Sequence, residues 1–125
     1  MFDERYHGRS LDAWLNLLCA HGPERRREAA GVLTSVGLPA VPGLLLIVKQ
    51  GRNPDRCRAA RVLGHIGPAA KPAVPTLQEA LKDRDQRVRK EVREALAMID
   101  PKAAGRLFSF CFHLRRRFRK KPPKP

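Results

Sequence analysis

The sequence predicts an all-α protein: a short α-solenoid of about three helix pairs with capping helices, about seven helices in all. Three observations carry this. Apolar residues recur at helical spacing in each segment between Gly, Pro and Asp clusters. Prolines stand at first-turn positions and glycines just past last turns, the usual asymmetry of helix ends. A pattern also returns at intervals of 30 and 33 residues. Leu33, Leu63 and Leu96 fall in register, as do Val36, Ile66 and Ile99, then Gly37, Gly67 and Asp100, then Ala40, Ala70 and Ala103. The phrase Ala-Val-Pro-x-Leu occurs at 40–44 and again at 73–77. A period of this size with two helices per unit marks stacked repeats, each burying its apolar face on the next.

The elements follow in order. Residues 1–9 read as an arm and 10–118 as the repeat domain. Ser10 can cap a first helix, because its hydroxyl can accept a free N–H of the first turn. Leu11, Trp14, Leu15 and Leu18 lie on one side of it. Gly22-Pro23 ends it and begins a second helix, whose inner face is Ala29, Ala30, Leu33 and Val36, with Gly37 as its stop. Pro39 and Pro42 open a third helix through Val41, Leu44, Leu45, Ile47 and Val48. It is apolar nearly all round and is expected to be the most buried element. Asn53-Pro54 reads as a cap and first-turn proline for a fourth helix with Ala59, Val62, Leu63 and Ile66 inside. Gly67-Pro68 ends it. Pro72 and Pro75 begin a fifth, with Val74, Leu77 and Leu81 inside. Asp85 caps a sixth, with Val88, Val92, Ala95, Leu96 and Ile99 inside. Asp100-Pro101 starts a seventh, carrying Leu107, Phe110, Cys111, Leu114 and Phe118. The basic Pro/Lys tail, 119–125, has nothing with which to build a core and is expected to be disordered.

Charge is distributed unevenly. The net charge is +14, with 26 Lys and Arg against 12 Asp and Glu, and residues 102–125 hold nine of those cations and no acid. Such asymmetry points to nucleic acid, anionic lipid or an acidic protein as partner. Cys19, Cys57 and Cys111 are scattered and odd in number, which fits reduced thiols. The polar opening MFDERYHGRS lacks the apolar stretch of a signal peptide. The expected location is cytoplasmic.

Within the repeats, the unit from Arg56 carries Ala59-Ala60, Leu63-Gly64, Ile66-Gly67-Pro68 and Ala73-Val74-Pro75-x-Leu77. The next carries Asp83, Asp85, Val88, Arg89, Ala95-Leu96 and Ile99. On these residues, 24–101 resemble HEAT-type repeats of the short bacterial kind, the HEAT-like or phycobilisome-lyase type. The opening Tyr6-x-Gly8-x-x-Leu11-x-x-Trp14-Leu15 is also similar to the start of many small bacterial proteins built from such repeats. Two features depart from the pattern. The first unit is three residues shorter between its helices and lacks an Asp-x-x-Val-Arg start. The last replaces an aliphatic second helix with RLFSFCFHLRRRFRKK. Both ends read as caps.

The resemblance implies that Arg56 and Arg89, in register with Arg26, pair with aspartates of neighbouring turns such as Asp83 and Asp85, tethering units together. It also implies that the first helices of the units form the outer face, so Arg25–Arg27 and Arg87–Lys90 read as solvated charge. The four histidines are isolated, His65 is expected to be a partly buried structural residue, and Trp14 is expected to pack over the first repeat. The cysteines are expected to act as small buried hydrophobes. No metal site, cofactor or catalytic constellation is expected. Lyase or glycosylase chemistry would rest on fold analogy alone. The expected function is a non-enzymatic scaffold or adaptor for a protein partner. The alternative is binding of nucleic acid, or of an anionic membrane surface, through the aromatic and basic C-terminal helix. There Arg115, Arg116, Arg117, Arg119, Lys120 and Lys121 are the candidate anion-binding residues, with Phe108 and Phe112 available for a bilayer. The sequence leaves the oligomeric state open.

Overall fold

The computed structural model describes residues 8–102 and 105. Within them lie six α-helices and two 3-10 segments, with no strand. The helices are α1 (Leu11–Leu18), α2 (Pro23–Val36), α3 (Val41–Gln50), α4 (Asn53–Ile66), α5 (Val74–Ala80) and α6 (Gln86–Ile99). Pro101, Lys102 and Gly105 are also helical. The rest of the seventh predicted helix, the N-terminal arm up to His7 and the basic tail lie outside the described residues.

The local signals account for the helix ends. Ser10 accepts the N–H of Ala13 at 3.2 Å, and Asp85 accepts that of Arg87 at 2.8 Å. Gly37 and Gly67 end α2 and α4 with φ of 74° and 76° and ψ of −129° and −143°. Only glycine enters that region without strain. At the third register position Asp100 takes φ of −144° instead, as a residue with a Cβ must. Two expected boundaries are corrected. Asn53 lies inside α4 rather than capping it, and its Oδ1 accepts from Arg56 Nη1 at 3.1 Å. Pro72 falls in a 3-10 segment, Gly67–Ala73, so α5 starts two residues later and ends before Leu81. The matching segment of the first unit is only Leu38–Ala40. The three-residue difference between units is therefore absorbed in the link, and both helix registers survive.

The helices pack in a repeat-like way. α4 is the central element, lying against α6 most extensively and also against α3 and α2. The in-register Leu33, Leu63 and Leu96 are all buried, with Ala29, Ala40, Ala59, Ala60, Ala70, Ala73 and Ala95 between the helices. Alanine at so many contact positions lets helix backbones approach closely. Trp14 is 2% exposed, with the Arg9 guanidinium 5.4 Å over its ring.

The burial predicted for α3 is not found. Only Val41, Leu44 and Val48 of α3 are fully buried, whereas five residues each of α4 and α6 are. Leu46 is 56% exposed. Apolar composition all round does not bury a helix covered on one side. α4 is covered on several sides, so its core stripe is wider.

Candidate functional site: a basic groove between α2 and α4

Three arginines in register do related work near the helix starts. Arg26 donates to the Ala20 carbonyl at 3.1 Å and Arg56 Nε to the Val48 carbonyl at 2.8 Å. Arg89 donates to the carbonyls of Asp83 at 2.6 Å and Arg84 at 3.1 Å. Each guanidinium thus fastens the end of the preceding helix or turn to its own helix. Such backbone acceptors leave no mark in the sequence.

Arg56 alone of the three also meets a carboxylate across the fold, forming an ion pair with Asp83. Asp83 is a junction. Its side chain takes Arg56 and, through Oδ1, the N–H of Asp85 at 2.9 Å, while its carbonyl takes Arg89. Burial raises the Asp83 pKa, but the bonds from Arg56 and the Asp85 N–H, with the charges of Arg56 and Arg89, outweigh it. The carboxyl is held below its ordinary range. Asp85 does not reach Arg56 or Arg89 among the recorded bonds. It caps α6, and its outer oxygen lies 3.6 Å from Arg87. The backbone N–H of Arg87, followed by the charge of Arg87, lowers its pKa despite partial desolvation.

The contact between α4 and α6 is close. A Cβ built on Gly64 would lie 2.9 Å from the Ala95 Cα and 3.3 Å from its Cβ. On the rim of this contact Arg61 grips Glu91 with two bonds, at 2.6 and 3.3 Å. That hydrogen bond raises the pKa of Arg61, so its charge is secure. Between α2 and α4 the surface opens into a groove of about 350 Å³. The repeat register offers a reason. At the positions equivalent to Gly64 and Ala95, the earlier pair of helices carries Thr34 and Val62, a bulkier combination.

Leu18, Pro23, Ala30 and Val62 form the apolar part of the groove. Arg26, Arg27, Arg58, Arg61 and His65 form its basic part. Arg58 is paired with Asp55 at 2.7 Å and Arg61 with Glu91, whereas no bond is recorded for Arg27 or His65. His65 is exposed, which corrects the partial burial expected of it. It follows Gly64 on α4, and one residue is enough to turn a side chain from the α6 contact to solvent. A second groove of about 200 Å³ lies on the other side of the Arg61–His65 ridge. It shares Arg61 and His65 with the first and is completed by Glu91, Glu94, Ala95 and Met98. The face made by α2, α4 and α6 therefore runs from a basic trough to one of mixed charge, where Glu91 is paired with Arg61 and Glu94 is exposed.

Arg27 was visible in the sequence only as part of a charge run. Arg58, Arg61 and the carboxylates of α6 carried no signal, because their grouping depends on how successive helices stack. Arg115, Arg116, Arg117, Arg119, Lys120 and Lys121 lie outside the described residues, as does Cys111. Cys19 and Cys57 are free thiols, half-buried rather than fully so. Among the described residues no cluster of His, Cys, Asp or Glu is placed to hold a metal ion. No single helix among them is long and apolar enough to cross a membrane.

Helix pairs repeating along the chain, joined through register-matched leucines, glycines and arginines, define a helical repeat protein. The family described as HEAT repeats matches residues 41–109, more than half of the chain, and the chain belongs to that family. The match begins at α3 and runs beyond α6. A comparison with curated proteins gives no match.

Proposed function

We propose that this protein is a non-enzymatic scaffold, a short α-solenoid that holds a protein partner. The observation that carries the reading is the grooved α2–α4–α6 face, a surface with built relief and mixed charge on a family fold that commonly serves protein interaction. The polar residues inside the repeats are taken up by turns, caps and the arginine bonds, which leaves the outer face for recognition. In this reading Arg56, Arg89, Asp83 and Asp85 are structural, and the protein works in the cytoplasm without a cofactor. Affinity capture with the full chain from its source cell tests it. A stoichiometric protein partner that survives nuclease treatment is the expected result, and recovery of nothing that survives it refutes the scaffold.

A second reading is favoured by one specific feature: residues 102–125 hold nine Lys and Arg and no acid. Arg115, Arg116, Arg117, Arg119, Lys120 and Lys121 would contact phosphates of nucleic acid, with binding that falls steeply as salt rises. Random-sequence duplex should then bind the full chain and lose affinity for a chain ending at Leu114, measured at two salt concentrations. Equal binding by the two chains removes this reading. Sedimentation with anionic vesicles that depends on Phe108 and Phe112 would assign the same segment to a membrane surface instead.

A further inference from the structure

We propose that the groove between α2 and α4 takes an acidic segment of the partner protein, with carboxylates facing Arg27 and His65 and an apolar side chain over Leu18 and Val62. The proposal deepens the scaffold reading and rests on it. Four arginines and a histidine converge on a groove that also has an apolar part, so its complement is a ligand with both anionic and apolar groups. Arg58 and Arg61 are held by Asp55 and Glu91, which fixes them at the rim. Arg27 has no recorded partner of its own and is exposed, so a ligand carboxylate gains its charge without displacing an internal one.

The neighbouring groove decides between a peptide and a phosphate backbone. That groove shares Arg61 and His65 with the first and adds Glu91, which Arg61 already pairs, and the exposed Glu94, with Met98 46% exposed beside them. A nucleic-acid strand carries a negative charge at every step and would run from the cations onto the Glu94 carboxylate. A peptide can place acidic residues over the first groove and an apolar or basic one over the second. The charge pattern of the face is thus complementary to a polypeptide.

The test uses the full chain and a fluorescein-labelled peptide with glutamates flanking a central leucine, read by fluorescence anisotropy. The controls are the same peptide with glutamine for glutamate, and random-sequence duplex DNA. Arg27→Glu and His65→Glu change exposed residues with no recorded bonds, and unchanged helix content by circular dichroism confirms that they fold. The acidic peptide should bind, and each reversal should weaken it by about tenfold or more, as should the glutamine peptide. Absence of binding overturns the proposal, as does equal binding by the reversed variants. Binding that survives both reversals but is lost when Arg115 to Lys121 are neutralised assigns the peptide to the C-terminal cations and also overturns it. DNA that competes with the peptide, and loses affinity in the same reversals, makes the groove a phosphate site and overturns it too. Capture from the cell separates the two levels. A nuclease-resistant partner held equally by the wild type and the double reversal leaves the scaffold standing and the groove refuted. A partner held by neither refutes the scaffold itself.

Discussion

Replacing Arg56 by alanine removes three contacts at once: the bond to the Val48 carbonyl, the bond to Asn53 and the ion pair with Asp83. The half-buried Asp83 carboxylate loses its main partner, so the loss should be about 1–3 kcal/mol in chemical denaturation. An effect no larger than that of an ordinary surface arginine, such as Arg25, would show that the junction is dispensable. Asp83 also sets a pH dependence. Its folded-state pKa lies below the unfolded one, so its contribution is complete above the ordinary carboxylate range. That contribution is lost as pH falls through the folded value. Asp83→Asn should therefore lose less stability than the wild type between about pH 5 and about pH 3, as read from urea midpoints. The thiols behave in the opposite sense. Burial pushes up both pKa values, helped by Asp55 at Cys19 and by Glu91 and Asp85 at Cys57. In a Cys111→Ser chain, both should react with a thiol reagent more slowly than free cysteine at neutral pH, and accelerate only above the ordinary thiol range.

At the scale of helices, two glycines allow close approaches of unequal rigidity. A methyl on Gly64 meets the Ala95 backbone, which cannot move without shifting α6. A methyl on Gly43 meets the methyl end of the Leu15 side chain, which can change rotamer. Gly64→Ala should cost about 1–3 kcal/mol in thermal or urea unfolding, and Gly43→Ala clearly less. The opposite order would mean that α4 and α6 separate easily. Arg61 and Glu91 lie over the same contact, but Arg61 is 60% exposed on its side chain, so breaking the pair should cost only about 0.2–1 kcal/mol. Packing of small residues, more than charge, holds these two helices.

Over the whole molecule, what could be read from the sequence was what is local or periodic. Ser10 and Asp85 announce their helices because a cap acts over three residues. Gly37 and Gly67 announce the ends because their backbone angles exclude other residue types. The buried Leu33, Leu63 and Leu96 follow from the register. The rest depends on neighbours distant in sequence. α3 is apolar all round, yet Leu46 is exposed because nothing among the described residues covers that side. His65 sits one position from a tightly packed glycine and points to solvent. The acceptors of Arg26 and Arg89 are carbonyls, which every residue possesses. The groove opens between the two helices that carry Thr34 and Val62 where the next pair has glycine and alanine, a difference that acquires meaning only once the helices are stacked.

That unequal stacking also sets an order of opening. α6 rests on α4 through a close backbone contact, while α2 meets it across the groove with less shared surface. The free energy needed to expose the amide protons of α1 and α2 should then be lower than that for α4 and α6, and their hydrogen–deuterium exchange correspondingly faster. Trp14, the single tryptophan, reports on this end of the molecule. Its fluorescence should change at lower urea than the far-ultraviolet circular dichroism of the whole chain. Coincident transitions would instead make the described helices one cooperative unit. If the two transitions separate, the loosest seam of the fold is also the basic groove to which Arg27 contributes its charge, and any ligand that bridges α2 and α4 there would slow exchange at the N-terminal end.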